Sequence, residues 1–152
     1  MILENKKISK MILVILYIIL LGGVLVFATL PFCLKWFLEF KNMFELNYFV
    51  KTLSLLYTSG TLALIILFKT ITLFNSINIS EPFSKKNAKT LSVIGWCSLA
   101  ISLLYLIFFP MIKSVFMIII FMTFTIFGFM TIVLSEFVYK AIKYKEENDL
   151  MI

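Results

Sequence analysis

Few side chains in this sequence are of the types that perform chemistry. The 152 residues include no histidine and two cysteines, Cys33 and Cys97. Four long stretches contain no charged residue at all: 11–34, 52–68, 90–112 and 114–135. Histidine is central to catalytic triads, proton relays and many metal sites, and coupled transporters commonly keep an acidic residue inside a span. The sequence therefore predicts a protein that is not an enzyme and has neither a metal nor a cofactor.

Two charged residues lie where uncharged stretches end, and their spacing favours an ion pair. One apolar segment begins near Tyr48 and is followed by Lys69, and another begins at Ser114 and is followed by Glu136. The number of residues from Tyr48 to Lys69 is nearly the same as the number from Ser114 to Glu136. If both segments cross a membrane in the same direction, the two side chains reach similar depths. We hypothesise that they pair between helices. The alternative is that each extends separately towards the lipid headgroups.

The elements that position these residues are predicted to be membrane spans. Hydrophobic residues make up 62% of the chain and charged residues 14%, against about 25% charged in a typical soluble domain. A helix needs about 20 apolar residues to cross a bilayer. The sequence thus predicts an all-α, four-helix transmembrane bundle in the cell membrane of a bacterium, as one domain covering 1–152. The predicted spans are about 8–32, 48–74, 91–109 and 114–136.

The distribution of lysines predicts the orientation of these spans. Ten of the 14 basic residues lie in or beside the N-terminal tail, the loop 75–90 and the tail 137–152. Lysines mark the cytoplasmic flanks of spans, so both termini are expected in the cytoplasm, with the loop 33–47 outside. No basic surface with interleaved aromatic residues is evident, so direct nucleic acid binding is not expected.

Small residues follow one side of each of the last two spans. They are Ser92, Gly95, Ser98 and Ser102 on the third span, and Thr125, Gly128, Thr131 and Ser135 on the fourth. Small residues let helix backbones approach closely in lipid, and only a few residues connect these spans. We therefore predict a tight antiparallel hairpin packed through these residues. The alternative is that they line a polar path, as in a homo-oligomeric channel.

The loop and tail assigned to the cytoplasm carry the most distinctive residues. Pro82 is expected to stop the preceding structure, and Ser84 is placed to cap a helix that begins at Lys85. Beyond Glu136 the fourth helix is expected to extend into the cytoplasm. The residues predicted to contact a partner there are Pro82, Phe83, Asn87, Glu146, Glu147 and Asp149.

The same segments resemble the bacterial membrane family known as domain of unknown function 2975. The matching residues are Glu81-Pro82-Phe83-Ser84 with Asn87, Leu91, Ile94 and Gly95, then Leu134-Ser135-Glu136-Phe137-Val138, and finally Lys145 to Ile152. The resemblance implies four spans and no known activity. It also implies a small helix-turn-helix regulator as a partner, as in membrane immunity and signalling pairs.

These observations favour a non-catalytic function. The leading hypothesis is a sensor, immunity or regulatory protein whose outer aromatic loop meets a signal and whose cytoplasmic loop and tail meet a protein partner. The alternative is a small permease or channel subunit that oligomerises. A third hypothesis is an accessory subunit of a larger complex. In each case the lipid bilayer is the first partner.

Overall fold

The computed structural model describes residues 6–42, 44–78 and 84–150, and over these ranges the chain is helical with short connections and no strand. The helices are α1 Lys6–Phe40, α2 Leu46–Asn78, α3 Lys85–Ile112 and α4 Val115–Leu150. Each is long and apolar enough to cross a membrane by length and composition. The prediction of an all-α protein with four membrane-capable helices is confirmed.

The first helix continues beyond the predicted span 8–32 and into the predicted outer loop 33–47. α1 continues through Pro31 and ends at Phe40, so the chain between α1 and α2 is short. Two contacts one turn apart stabilise the added turns. The Lys35 ammonium lies 3.8 Å from the Glu39 carboxylate, and the Trp36 and Phe40 rings stack with centroids 5.8 Å apart. Such i,i+4 pairs favour the helix beyond the uncharged stretch 11–34.

The third helix also runs past its predicted end at 109. It includes Pro110 and closes with Lys113 in the left-handed conformation at φ 52°, where the Lys113 N–H donates to the Phe109 carbonyl at 2.8 Å. A left-handed residue commonly ends a helix, although glycine usually occupies that position. Only Lys113 and Ser114 separate α3 from α4.

Among the described residues, the extensive helix contacts all join helices that are consecutive in the chain. α3 packs most extensively against α4, less against α2, and α2 packs against α1 least. The arrangement is therefore a series of helices that is open between α1 and α4. The core follows α3, where Ile94, Ser98 and Ile101 are buried, whereas Leu38 is the one buried side chain described on α1.

Candidate functional site at the α3–α4 contact

The start of α3 is set by a local hydrogen bond that the sequence predicted. Ser84 has an extended backbone, and its hydroxyl accepts a hydrogen bond from the Asn87 N–H at 3.2 Å. The first N–H groups of a helix have no partner within the helix, so such a cap stabilises it by about 1 kcal/mol. The predicted cap at Ser84 is confirmed, and it directs Lys85 to the first position of α3.

Lys85 forms an ion pair with Glu146, near the far end of α4. The Lys85 Nζ lies 2.8 Å from one carboxylate oxygen of Glu146 and 3.1 Å from the other. Lys85 precedes the apolar stretch of α3. Its hydrogen bond to Glu146, together with the negative charge there, raises the pKa of the Lys85 ammonium above its ordinary value. The ion pair therefore favours the charged form of the lysine.

The helix dipoles add to the attraction between Lys85 and Glu146. Lys85 carries a positive charge at the positive end of α3, and Glu146 carries a negative charge near the negative end of α4. Each charge is unfavourable for its own helix and favourable for the end of the other. The ion pair therefore favours the arrangement in which the start of α3 lies beside the end of α4.

A buried hydrogen bond joins the same two helices further in. The Ser135 hydroxyl donates to the Ala88 carbonyl at 2.7 Å, and both residues are buried. A hydrogen bond between helices in a membrane contributes about 0.6 kcal/mol on average and up to about 1.7 kcal/mol. This bond fixes the rotation of α4 at one position along α3.

Two glycines allow the backbones of α3 and α4 to approach closely. A methyl group on Gly95 would lie 2.5 Å from the Ile132 side chain and 3.0 Å from the Gly128 carbonyl oxygen. A methyl group on Gly128 would lie 2.8 Å from Leu99 and 3.1 Å from the Gly95 carbonyl oxygen. The two glycines therefore face each other across the contact, and neither position has room for a side chain.

Most hydroxyl groups of the small-residue positions form a hydrogen bond, either across this contact or to a carbonyl of their own helix. Ser102 and Thr125 lie 2.6 Å apart across it, and because Thr125 donates to the Phe121 carbonyl, Ser102 is the donor to Thr125. Ser98 is fully buried and donates to the Ile94 carbonyl. Thr131 is buried and donates to Phe127, while Ser92 is half-buried. Several of these positions therefore take part in the α3–α4 contact.

The residues predicted to contact a partner have different surroundings. Asn87 is 2% exposed, so a partner could reach its side chain only if the surrounding helices moved. Glu147 is exposed and lies 3.8 Å from Lys143, one turn earlier on α4. Pro82 and Phe83 lie outside the described residues, as does the side chain of Asp149.

The ion pairs of the described residues do not include one between Lys69 and Glu136. Lys69 is half-buried on α2, Glu136 is exposed on α4, and α3 packs against both helices. In the described ranges the ion pairs are Lys35–Glu39, Lys85–Glu146 and Lys143–Glu147. The Lys69–Glu136 pair stays a prediction. Sequence reasoning missed the Lys85–Glu146 pair because it compared depths within the spans and not the helix ends.

The described residues hold no cluster of three or more histidine, cysteine, aspartate or glutamate side chains that could bind a metal ion. Cys33 is exposed, Cys97 is half-buried, and neither forms a disulfide. The α3–α4 contact has a structural role. Its close packing holds Lys85, at the start of α3, against Glu146, near the end of α4.

Comparison with known proteins matches residues 4–152 to the family described as "Protein of unknown function (DUF2975)". This match covers nearly the whole chain and confirms the resemblance stated above. No curated protein matches the chain, and no solved structure does.

Proposed function

Since the chain belongs to the DUF2975 family, whose members have no assigned activity, we propose a function from its geometry. The protein is a non-catalytic, multi-pass protein of the bacterial cell membrane that acts as a sensor, immunity or regulatory protein. Both termini are cytoplasmic, α3 and α4 form an antiparallel hairpin, and the end of α4 extends into the cytoplasm. There it binds a small protein partner of the helix-turn-helix type.

The observation that carries this proposal is the length of α4. It has 36 residues without a break, which corresponds to about 54 Å against about 30 Å of hydrocarbon. Its last turns therefore leave the lipid as a continuous helix. Ile142 is buried there, whereas Lys143 and Glu147 are exposed. One side of the helix end is thus packed and the other presents charge.

The contacts of α4 with α3 support a role in passing on a signal. The Lys85–Glu146 ion pair and the Ser135–Ala88 hydrogen bond both hold the end of α4 against the start of α3. A ligand shifts an equilibrium only when it binds one of two states more tightly. We propose that the second state breaks these two contacts and moves the charged surface of α4.

The permease alternative receives less support from the same residues. Gly95, Gly128, Thr131 and Ser135 are buried in the α3–α4 contact. In a single copy these residues pack two helices together and are not exposed to a solute. We therefore favour the regulatory function over transport.

Partner capture with matched charge swaps tests the proposal. In the double variant Lys143→Glu, Glu147→Lys, the exposed i,i+4 pair and the net charge are kept while the charge pattern on α4 is inverted. The control is Lys35→Glu, Glu39→Lys, which inverts the equivalent pair on α1. Tagged proteins are cross-linked in the native host and the bound proteins identified.

We expect a small cytoplasmic DNA-binding protein to be recovered with the wild type and with the α1 swap, and lost with the α4 swap. All three proteins should be present in the membrane at similar levels. Equal recovery with both swaps would rule out the α4 surface as the partner site. Solute flux through liposomes that contain only the wild type would support the permease alternative instead.

A further inference from the structure

An open groove of about 510 Å³ lies between α1 and α2, and its lining is apolar except for a threonine and one lysine. The lining residues are Leu20, Val24, Thr61, Leu64, Ile65, Phe68 and Lys69. Val24, Ile65 and Phe68 are more than 40% exposed, so the groove opens to the surroundings of the helices and not to the α3 core. It is open and mostly apolar, with a single positive charge from Lys69.

The register of α1 and α2 gives the depth of that charge. Gly23 lies against Leu64, since a methyl group there would be 3.3 Å from the Leu64 side chain. The rings of Phe27 and Tyr57 meet edge to face at 4.9 Å. The helices therefore run in opposite directions. Lys69 comes five residues after Leu64, so it lies level with the residue that comes five before Gly23.

That residue, Ile18, is inside the uncharged stretch of α1. It is about 12 Å along the helix from Lys10 and about 26 Å from Lys35, the two charges that bound the stretch. A hydrocarbon layer of about 30 Å centred between these charges places the Lys69 backbone within it. The lysine must then extend its ammonium towards the headgroups on the Lys10 side.

The described residues of this chain provide no counter-charge for Lys69. It takes part in none of the ion pairs among them, and the uncharged stretches of all four helices hold no acidic residue. A charge at this depth is costly and is expected to have an ionic or polar partner. Because the groove opens to lipid, the membrane itself can supply that partner.

We propose that the α1–α2 groove binds one anionic phospholipid, with its phosphate on the Lys69 ammonium and an acyl chain along Leu20, Val24 and Leu64. An anionic phospholipid offers Lys69 a phosphate with no compensating cation in its headgroup, and one lysine near the membrane surface contributes about 1 kcal/mol to the attraction of such lipids. The apolar lining suits a hydrocarbon chain. This inference rests on the helices crossing a membrane and not on the proposed sensor function.

A lipid fits the groove more directly than a second copy of the chain. In another copy, Glu136 is exposed and bounds the uncharged stretch of α4, but α4 packs against α3, so that copy would have to bring its α3–α4 pair against the groove. Lipid already surrounds the open side of the groove.

Lipid enrichment measured by native mass spectrometry tests the proposal. The purified full chain is equilibrated with equal amounts of phosphatidylglycerol and phosphatidylcholine, and the lipid retained is counted. We expect one retained phosphatidylglycerol, enriched about fivefold, the effect of one lysine on an anionic lipid. Lys69→Gln should abolish the enrichment, and Lys69→Arg should keep it. Lys51→Gln, which removes an exposed lysine of α2 outside the groove, should also keep it.

Several outcomes would overturn the lipid site. The proposal is wrong if the wild type retains both lipids equally. It is also wrong if Lys51→Gln loses as much of the phosphatidylglycerol enrichment as Lys69→Gln does. If Lys69→Gln and Glu136→Gln lower a dimer population to the same extent without changing lipid retention, Lys69 pairs with another copy. Should Lys69→Gln unfold, a Val24→Trp variant that fills the groove must lose the enrichment while its charge is unchanged.

Discussion

The α3–α4 pair and the α1–α2 pair are built from similarly apolar helices, yet they pack in different ways. α3 and α4 meet through two facing glycines, a buried serine–carbonyl bond and an exposed ion pair. On α1 and α2, hydroxyls such as those of Thr29 and Thr61 donate to carbonyls of their own helix, and the buried Thr52 hydroxyl of α2 has no partner among the described residues. Between those helices there is instead an open groove.

The difference shows what determines helix packing in lipid. Lipid tails are as apolar as leucine, so an apolar contact between two helices gains little over contact with lipid. Close backbone approach and hydrogen bonds are specific, and only the α3–α4 contact among the described helices combines them. We infer that α3 and α4 stay together where Gly95 and Gly128 face each other, while α1 and α2 can adjust to what occupies their groove.

The largest expected effect comes from one methyl group in the α3–α4 contact. Gly95→Ala places a Cβ 2.5 Å from Ile132 and 3.0 Å from a backbone oxygen, so the helices must separate. Overpacking of this kind costs about 1–3 kcal/mol. The measurement is the free energy of unfolding in mixed micelles with increasing SDS.

The control is Gly22→Ala on α1, where nothing lies within 4 Å of an added Cβ. There the gain in helix propensity over glycine, up to about 1 kcal/mol, is unopposed. Gly22→Ala should therefore be neutral or stabilising. Similar destabilisation by both substitutions would show that the two helix pairs do not differ in the way we describe.

A smaller effect is expected from exchanging the charges of the ion pair. Lys85→Glu alone places two carboxylates opposite each other and should lower the melting temperature. The double variant Lys85→Glu, Glu146→Lys restores the pair and places each charge at the end of its own helix that favours it. It should be at least as stable as the wild type, and the difference between single and double variants should shrink in high salt because the pair is exposed. A double variant no more stable than the single one would contradict this account.

The parts of this molecule that the sequence predicts are those that depend on local composition. Four helices follow from uncharged stretches, and the cap at Ser84 follows from a serine beside a proline-containing loop. The Lys85–Glu146 pair depends on how two helices rotate about their axes, which span lengths do not reveal. The extension of α1 to Phe40 depends on contacts one turn apart, such as Lys35 with Glu39. The sequence did not indicate the groove at Lys69, because the spacing of this lysine suggested an ion pair with Glu136 instead.

The smallest expected effect makes the comparison most direct, because it repeats the glycine substitution in the other helix pair. A Cβ on Gly60 of α2 would lie 3.1 Å from two ring atoms of Phe27, with no backbone atom among its near neighbours. The ring is half-buried beside lipid-facing surface and can shift by a few tenths of an ångström, whereas the backbone opposite Gly95 cannot. The gain in helix propensity then offsets the crowding, and Gly60→Ala should change the free energy of unfolding by less than about 0.5 kcal/mol. A loss as large as that of Gly95→Ala, measured in the same SDS titration, would mean that α1 and α2 are packed as rigidly as α3 and α4.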